Sequence, residues 1–237
     1  MIKFYIRNVC HLSSTHTQRM SIIYIHFVCE KSEDDLMAQK RAEMIEETRA
    51  KLISAARAAF ATVGYADSSM DELTAQAGLT RGALYHHFGG KKGLLEAVIA
   101  QIDAEISGRL AVIVEEAEST WDGFVQGCIG YIKMAVKPEV QRIVLLDGPA
   151  VLGDPSQWPS QNVCIVNMRR SLQKLIEEAV IRPVDPLATA RLISGALLGA
   201  SLWIASADDP RAASEKAVQG FLVLVAGLRR DTSPAQP

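Results

Sequence analysis

Residues 69–91 read SMDELTAQAGLTRGALYHHFGGK, and this stretch carries the strongest structural signal in the chain. Ser69 stands three residues before Glu72, which is the spacing of a capping box that starts a helix. The helix is predicted to be short, because Gly78 interrupts it.

The same stretch predicts a second helix over Arg81–Phe88, with Thr80 as its cap and Gly89-Gly90 as its end. Two short helices joined by a three-residue turn with glycine are the layout of a helix-turn-helix, whose second helix enters the major groove of DNA. An ordinary corner between two helices of a helical enzyme has the same spacing. Spacing alone therefore leaves both interpretations open.

Helical patterns continue on both sides of this motif. Apolar residues recur every three to four positions over 52–63 and again along Lys91–Glu118. Prolines and a glycine between 149 and 159 predict a loop. Other helices are predicted over Thr120–Ala135, Pro138–Asp147, Ser156–Ala179 and Asp185–Ser206, and a last one opens at Asp209-Pro210.

We therefore expect an all-α chain in two parts. Residues 37–93 are predicted to form an N-terminal three-helix domain that contains the helix-turn-helix pattern. Residues 94–230 are predicted to form a C-terminal helical domain, and 231–237 a disordered tail.

Composition excludes several classes of protein. The chain has 237 residues, of which 49% are hydrophobic and 22% charged, so it is long and apolar enough to bury a core. Its four cysteines include no C-x-x-C pair, which argues against zinc ribbons and thioredoxin-like motifs and fits a reducing cytoplasm. Neither a Ser/His/Asp triad nor a glycine-rich phosphate loop is present, and no histidine follows His87. The sequence predicts no catalytic residue, no cofactor and no metal site.

The first 36 residues differ from the rest. They contain no alanine, glycine or proline, although alanine is the commonest residue of the chain. We expect 1–36 to be an extension outside the fold, with Met37 as the natural start. Its potential metal ligands do not have the spacing of a standard zinc site. They are Cys10, His11, His16 and Cys29.

The charge is distributed unevenly. Residues 37–93 carry eight Lys and Arg against six Asp and Glu, whereas residues 94–237 carry 13 against 17. The basic excess thus lies with the helix-turn-helix, as phosphate binding requires, but it is modest.

The motif resembles the DNA-binding domain of TetR-family transcriptional regulators over roughly 46–95. The resemblance rests on Gly64-Tyr65, the Ser69 cap, the run 78–88 (GLTRGALYHHF) and Lys91. The rest of the chain, to about Arg230, is similar to the family only in length and helical character.

The resemblance implies a DNA-reading face on the second helix of the motif. Arg81 can bind guanine through two hydrogen bonds, and Gly82 allows a close approach to the bases. The expected base contacts are Arg81, Gly82, Tyr85 and His86, and the expected phosphate contacts are Thr80, Tyr85, His87 and Lys91. Tyr85 can instead only cover the small core, and His87 can be mainly structural.

The C-terminal part is expected to bind a small apolar or aromatic molecule. Gly123, Gly127 and Gly130 fall on nearly one face of their helix, so either a neighbouring helix or a ligand is expected against that face. The pocket residues predicted from apolar character are Trp121, Phe124, Gly127, Tyr131, Met134, Trp158, Cys164 and Met168.

The last two helices are predicted to form a four-helix bundle with a second copy of the chain, as in the family. Small residues allow close approach of two backbones. The predicted interface residues are Gly195, Gly199, Trp203, Phe221, Leu222 and Val225. The alternative is that both helices belong to the core of a monomer. Leu192–Ala207 lacks charge for sixteen residues but is shorter than the ~20 that span a membrane, so no membrane span is predicted.

These expectations combine into a cytoplasmic, dimeric regulator that binds a palindromic double-stranded DNA operator and is released by a small-molecule effector. Its long helix from Lys91 is the natural lever between the two parts. Two alternatives stay open at this point. One is a helical sensor or adaptor that binds a protein instead of DNA, and the other is an activator of the same family.

Overall fold

A computed structural model of the chain describes residues 33–230. It divides into residues 1–41 and residues 42–237, and all contacts discussed below lie within the second unit. Of the predicted extension, only Glu33–Leu36 is described, and these residues begin the first helix four residues before Met37. The four potential metal ligands of the extension and the predicted tail lie outside the described residues.

Within the described part of the chain all regular elements are helices, apart from one isolated β-bridge between Ile181 and Arg229, which confirms the predicted fold class. A π-helix, Val140–Asp147, precedes α6, and a single 3-10 turn, Pro155–Gln157, follows it. The α-helices are α1 Glu33–Thr62, α2 Met70–Gln76, α3 Arg81–Phe88, α4 Lys91–Glu115, α5 Thr120–Met134, α6 Gly148–Leu152, α7 Pro159–Glu177, α8 Pro186–Ser206 and α9 Pro210–Ala226.

The helix-turn-helix forms as its caps predict. The Ser69 hydroxyl accepts the backbone N–H of Asp71 at 3.2 Å, one residue earlier than a capping box requires. The Thr80 hydroxyl accepts the N–H of Ala83 at 3.2 Å and starts α3. The small core beneath the motif contains the fully buried Leu52, Phe60, Leu73, Leu84, Leu94 and Leu95.

The remaining helices pack as antiparallel neighbours in the chain. α4 packs along α5, α7 along α8, and α8 along α9. After α9 the chain contacts the segment between α7 and α8, where the Arg230 N–H donates to the Val180 carbonyl at 3.2 Å. α8 is long and apolar enough to cross a membrane, although it packs here against other helices of the chain.

The loop predicted around Pro149 begins later than expected. The helical backbone continues from Pro138 through the π-helix and α6, and it ends only at Gly153. Pro149 is the second residue of α6 and lies where the π-helix passes into it.

The three glycines of α5 face a neighbouring helix. A Cβ atom on Gly130 would lie 2.8 Å from Leu110, and one on Gly127 would lie 3.1 Å from Val114. Both neighbours belong to α4. The packed helix therefore accounts for the close approach at these glycines, and Gly123 and Gly127 also line the cavity described below.

Candidate functional site

The outer face of α3 is open to solvent. Arg81, Gly82, Tyr85 and His86 are all exposed, and Tyr85 retains 53% of its accessible surface. Since Leu84 is fully buried between them, the helix presents these side chains on the side away from its core. The structure thus brings together on one face the four residues expected to read bases.

Arg81 has a partner that the sequence did not reveal. Its Nε lies 2.6 Å from the Asp71 carboxylate of α2, and both side chains are largely exposed. An exposed ion pair contributes only about 0–1 kcal/mol, so Arg81 can exchange Asp71 for a guanine at little cost. The only feature of the sequence that could have indicated this ion pair is the position of Asp71 in the first turn of α2.

The two histidines of α3 differ in environment. His86 is exposed and His87 is half-buried, with their ring centroids 5.0 Å apart. The backbone carbonyl of His87 accepts a hydrogen bond from Arg49 of α1 at 3.0 Å. The Arg49 guanidinium also lies 4.7 Å from the centre of the Phe88 ring. The end of α3 is thereby held to α1, and phosphate contact by His87 stays a prediction.

The Lys91 side chain already has two partners within the protein. Its Nζ lies 4.5 Å from the centre of the Tyr65 ring and donates to the Ala66 carbonyl at 3.3 Å. Burial lowers the pKa of this ammonium group, and the carboxylates of Asp67 and Asp147 oppose that shift. Phosphate binding by Lys91 and by Thr80 stays a prediction.

The junction between α3 and α4 depends on Gly93. A Cβ atom at this position would lie 2.0 Å from the Phe88 carbonyl oxygen, which is part of the backbone. No side chain can occupy that place without moving α3 relative to α4. The orientation of the DNA-reading helix is therefore set by this glycine.

A cavity of about 950 Å³ lies among α4, α5 and α7. Six of the eight predicted pocket residues line it: Phe124, Gly127, Tyr131, Trp158, Cys164 and Met168. Its size is that of a site for a drug-sized molecule.

Two predicted pocket residues do not line this cavity. The Trp121 ring packs on Phe124 and lies 5.4 Å from the Arg229 guanidinium, so it faces the end of the chain. Met134 is the last residue of α5, where the stripe formed by Phe124, Gly127 and Tyr131 runs out.

Sequence analysis did not identify the cavity wall that α4 forms. The sequence suggested that the apolar stripe of this helix was core and connector, but the stripe also lines the cavity through Ile99, Asp103, Ile106, Leu110 and Val114. The signal was Asp103, a carboxylate among isoleucines.

Burial changes the acid–base chemistry of the cavity. It raises the pKa of Asp103, which a hydrogen bond from Ser160 partly offsets. It raises the pKa of Tyr131 to about 12, and that of the Cys128 thiol to about 12 as well. Tyr131 and Cys128 are therefore neutral near pH 7, and the cysteine is a poor nucleophile.

Three polar links join the helix-turn-helix to the rest of the described chain, and one of them is the hydrogen bond from Arg142 of the π-helix to the Val63 carbonyl at 3.2 Å. Arg57 of α1 binds Glu105 of α4 with its Nη2 at 2.9 Å and Glu139 with its Nε at 2.6 Å. The Asp147 carboxylate, at the end of the π-helix, accepts the backbone N–H of Tyr65 at 2.8 Å. α4 and the π-helix are therefore bonded directly to α1 and to the loop that precedes α2.

The last two helices expose an apolar face. A Cβ atom on Gly195, Gly199 or Gly220 would have no neighbour within 4 Å. Around these glycines, Leu192 is 75% exposed and Val223 76% exposed. The predicted Trp203 and Leu222 are also exposed, at 48% and 40%.

Two predicted interface residues are corrected. Phe221 and Val225 are 6% and 3% exposed, because they face the core of their own chain. The apolar stripe that the sequence assigned to the interface is the inner face of α9. The outward positions are Gly220, Val223 and Leu224, which sequence analysis did not select.

Within residues 33–230, no three His, Cys, Asp or Glu side chains approach closely enough to hold a metal ion.

Comparison with known proteins places these features in one family. Residues 52–98 match the family model for bacterial regulatory proteins of the tetR family, and residues 121–228 match a tetracycline repressor-like C-terminal domain. The chain is 31% identical over 116 residues to the HTH-type transcriptional regulator SrpR of Pseudomonas putida, covering 47% of this chain and 52% of SrpR. It is 30% identical over 116 residues to the regulator TtgW of Pseudomonas putida, again 47% of this chain but 83% of TtgW. The matched part thus spans about half of the first relative and most of the second.

A solved structure extends the likeness to most of the chain. It is a TetR-family transcriptional regulator from Pectobacterium atrosepticum, with 50% identity and a TM-score of 0.75. The match covers 83% of this chain and 98% of that one. The exposed α3 face, the cavity and both domain matches together show that this chain belongs to the TetR family of helix-turn-helix DNA-binding transcriptional regulators.

Proposed function

We propose that this regulator is a cytoplasmic repressor that binds a palindromic operator as a homodimer and is released by a small molecule. The observation that carries the proposal is the exposed row Arg81, Gly82, Tyr85 and His86 on α3, in a chain that also contains a large apolar cavity. Arg81 supplies a two-pronged donor for guanine, and Gly82 leaves the backbone free to approach the bases. Tyr85 is exposed enough to reach either a base or the flanking phosphate.

The proposed dimer forms through the outward faces of α8 and α9. Leu192, Gly195, Gly199 and Trp203 recur on one side of α8, and Val223 lies on the outward side of α9. Exposed apolar residues next to unobstructed glycines let two pairs of helices pack closely as a four-helix bundle. A two-fold dimer doubles the length of DNA that is read and sets the spacing of the half-sites.

The proposed effector site is the cavity among α4, α5 and α7. An occupant would contact α4 at Ile99 and Asp103, and Glu105 on the same helix is held by Arg57 of α1. Binding would favour a position of α4 in which the two α3 helices of the dimer no longer match successive major grooves. The ligand can shift this equilibrium only by its difference in affinity for the two positions.

A gel-shift titration tests DNA binding. The probe is the intergenic DNA next to the protein's own gene, with unrelated DNA as competitor, at near-physiological salt. We expect a discrete shift that survives the competitor. The full chain and a chain that starts at Met37 are compared, to find whether the extension affects binding.

The matched variants are Arg81→Ala and Arg169→Ala, which remove one exposed arginine each, from α3 and α7. Loss of the discrete shift with Arg81→Ala alone supports the proposal. A smear that any competitor removes equally, and that Arg81→Ala does not change, contradicts sequence-specific binding.

A further inference from the structure

The charged side chains that line the cavity are all acidic. Glu96, Asp103 and Glu115 line it, and none of the described lining residues is a lysine, arginine or histidine. The rest of the wall is mostly aliphatic or aromatic. The only charged side chains that an anionic ligand would meet there are therefore of its own sign.

Asp103 is the carboxylate of this wall that is partly buried without a countercharge. It lies on α4 between Ile99 and Ile106, is half-buried, and forms no ion pair with any residue among those described. Its environment is Ser160 and Cys164 of α7 and Tyr131 of α5, all uncharged near pH 7. Glu96 and Glu115 are exposed and keep their hydration.

A carboxylate in this position is costly unless a partner compensates for its lost hydration. Burial accordingly raises its pKa, and the single hydrogen bond from Ser160 offsets that only in part. Aromatic rings of Phe124, Tyr131 and Trp158 form part of the same wall. Such rings bind an apolar body, and their faces also attract cations.

We propose that the effector is an apolar or aromatic molecule that carries a protonated amine or another cationic nitrogen, which binds Asp103. This assignment rests on the proposed role of the cavity as the effector site. The ligand supplies the charge that the protein omits, and its apolar body fills the space between α4, α5 and α7. Anionic molecules, such as fatty acids and other carboxylates, are excluded by the same arrangement.

Three probes with one aromatic body and different charges test the proposal: anthracenylmethylamine, anthracenemethanol and anthracenecarboxylate. Their affinities for the full-length protein are measured at pH 7 by fluorescence anisotropy. We expect the amine to bind at least about tenfold more tightly than the carboxylate, since a hydrogen-bonded charge pair contributes about 1.5–3 kcal/mol. Equal binding of amine and carboxylate, or no binding of any probe, would overturn the proposal.

Two variants locate the effect. Asp103→Asn should weaken the amine about tenfold or more and change the neutral alcohol by less than about twofold, because the amide keeps the shape but loses the charge. Glu115→Gln removes an exposed carboxylate from the same wall and should change neither by more than about twofold. An Asp103→Asn protein that binds the amine as the original does would contradict the assignment.

Parallel gel shifts separate this inference from the proposed function. Without probe, Asp103→Asn should bind DNA as the original protein does, which also shows that it is folded. If the amine binds through Asp103 but does not release DNA, the ligand class stands and the effector role falls. If DNA binding is intact and the probes are not discriminated, the ligand class alone falls.

Discussion

Arg81 is both a proposed DNA contact and part of an ion pair between α2 and α3. It lies at the start of α3, is exposed, and is already oriented by the Asp71 carboxylate of the preceding helix. The pair holds the guanidinium beside the DNA-reading face without burying it. In the proposed DNA contact, Asp71 would compete with a guanine for the same donors.

Replacing Arg81 should reduce specific binding selectively. With Arg81→Ala we expect specific DNA affinity to fall by about 1–3 kcal/mol, which is the value of one two-pronged base contact. Affinity for unrelated DNA should change little. Anisotropy titrations on specific and unrelated duplexes measure both, with Arg169→Ala as the control. An equal loss on both duplexes would show that Arg81 only binds phosphate.

Gly93 allows a prediction about stability. Gly93→Ala would place a methyl group 2.0 Å from the Phe88 carbonyl oxygen, so α3 and α4 must separate. We expect a destabilisation of about 1–3 kcal/mol, as for other overpacked sites, with loss of DNA binding. Urea unfolding and gel shifts measure the two effects.

Gly108 provides the matched control in the same helix. A Cβ atom there meets nothing within 4 Å, so Gly108→Ala should stabilise the protein by up to about 1 kcal/mol through helix propensity. If both variants behaved alike, close packing at Gly93 would not be the cause.

At the scale of the helices, the link made by Arg57 connects α1 to α4 and to the residues before the π-helix. Its guanidinium bonds to both Glu105 and Glu139, and hydrogen bonding to Arg57 lowers the pKa of each carboxyl group. π-helices are rare and are frequently found at functional sites. This one begins directly after Glu139 and ends at Asp147, and both side chains accept hydrogen bonds from the helix-turn-helix part.

A double-mutant cycle can measure this link. With Arg57→Met and Glu139→Gln, singly and together, we expect a coupling energy of up to about 1 kcal/mol in urea unfolding at pH 7, because the pair is partly exposed. Since the carboxyl pKa values are lowered in the folded state, this contribution is present above 4.5, the ordinary glutamate value, and is lost as the pH falls through the folded values. Coupling that stayed constant through acidification would contradict an ionic link.

At the scale of the whole molecule, the exposed face of α8 and α9 is the largest feature that a single chain leaves unexplained. Leu192, Val223 and Leu224 are each at least 70% exposed, which is costly for aliphatic side chains in water. α8 is also the helix that has the length and composition of a membrane span. A partner copy on this face would account for both.

The proposed dimer can be tested by introducing charged side chains on this face. Leu192→Glu combined with Val223→Glu should convert a dimer into a monomer, because two-fold packing would bring the new charges together without solvent. Light scattering after size-exclusion chromatography measures the mass. Val112→Glu on α4 is the control, since Val112 is an exposed valine on a helix outside the proposed interface. A variant that remained dimeric would place the interface elsewhere.

The sequence by itself determined the helix-turn-helix, because its signals are local. Ser69, Thr80 and the glycines at 78 and 89 act on backbone groups two to four residues away, and the structure uses them nearly as predicted. The apolar period over 52–63 and the caps Asp185 and Asp209 likewise set helices without distant partners.

Only the tertiary structure decided which apolar stripe faces which neighbour. Phe221 and Val225 looked suited to an interface, but they face their own core, whereas Val223 and Leu224 point outward. The environment of Asp103 is set by α5 and α7, which lie far from it in the sequence. The partners of Arg57 are likewise distant, since Glu105 and Glu139 lie 48 and 82 positions further along the chain. Helical periodicity reveals that a face is apolar, but burial, charge compensation and cavity walls depend on residues that lie far apart in the chain.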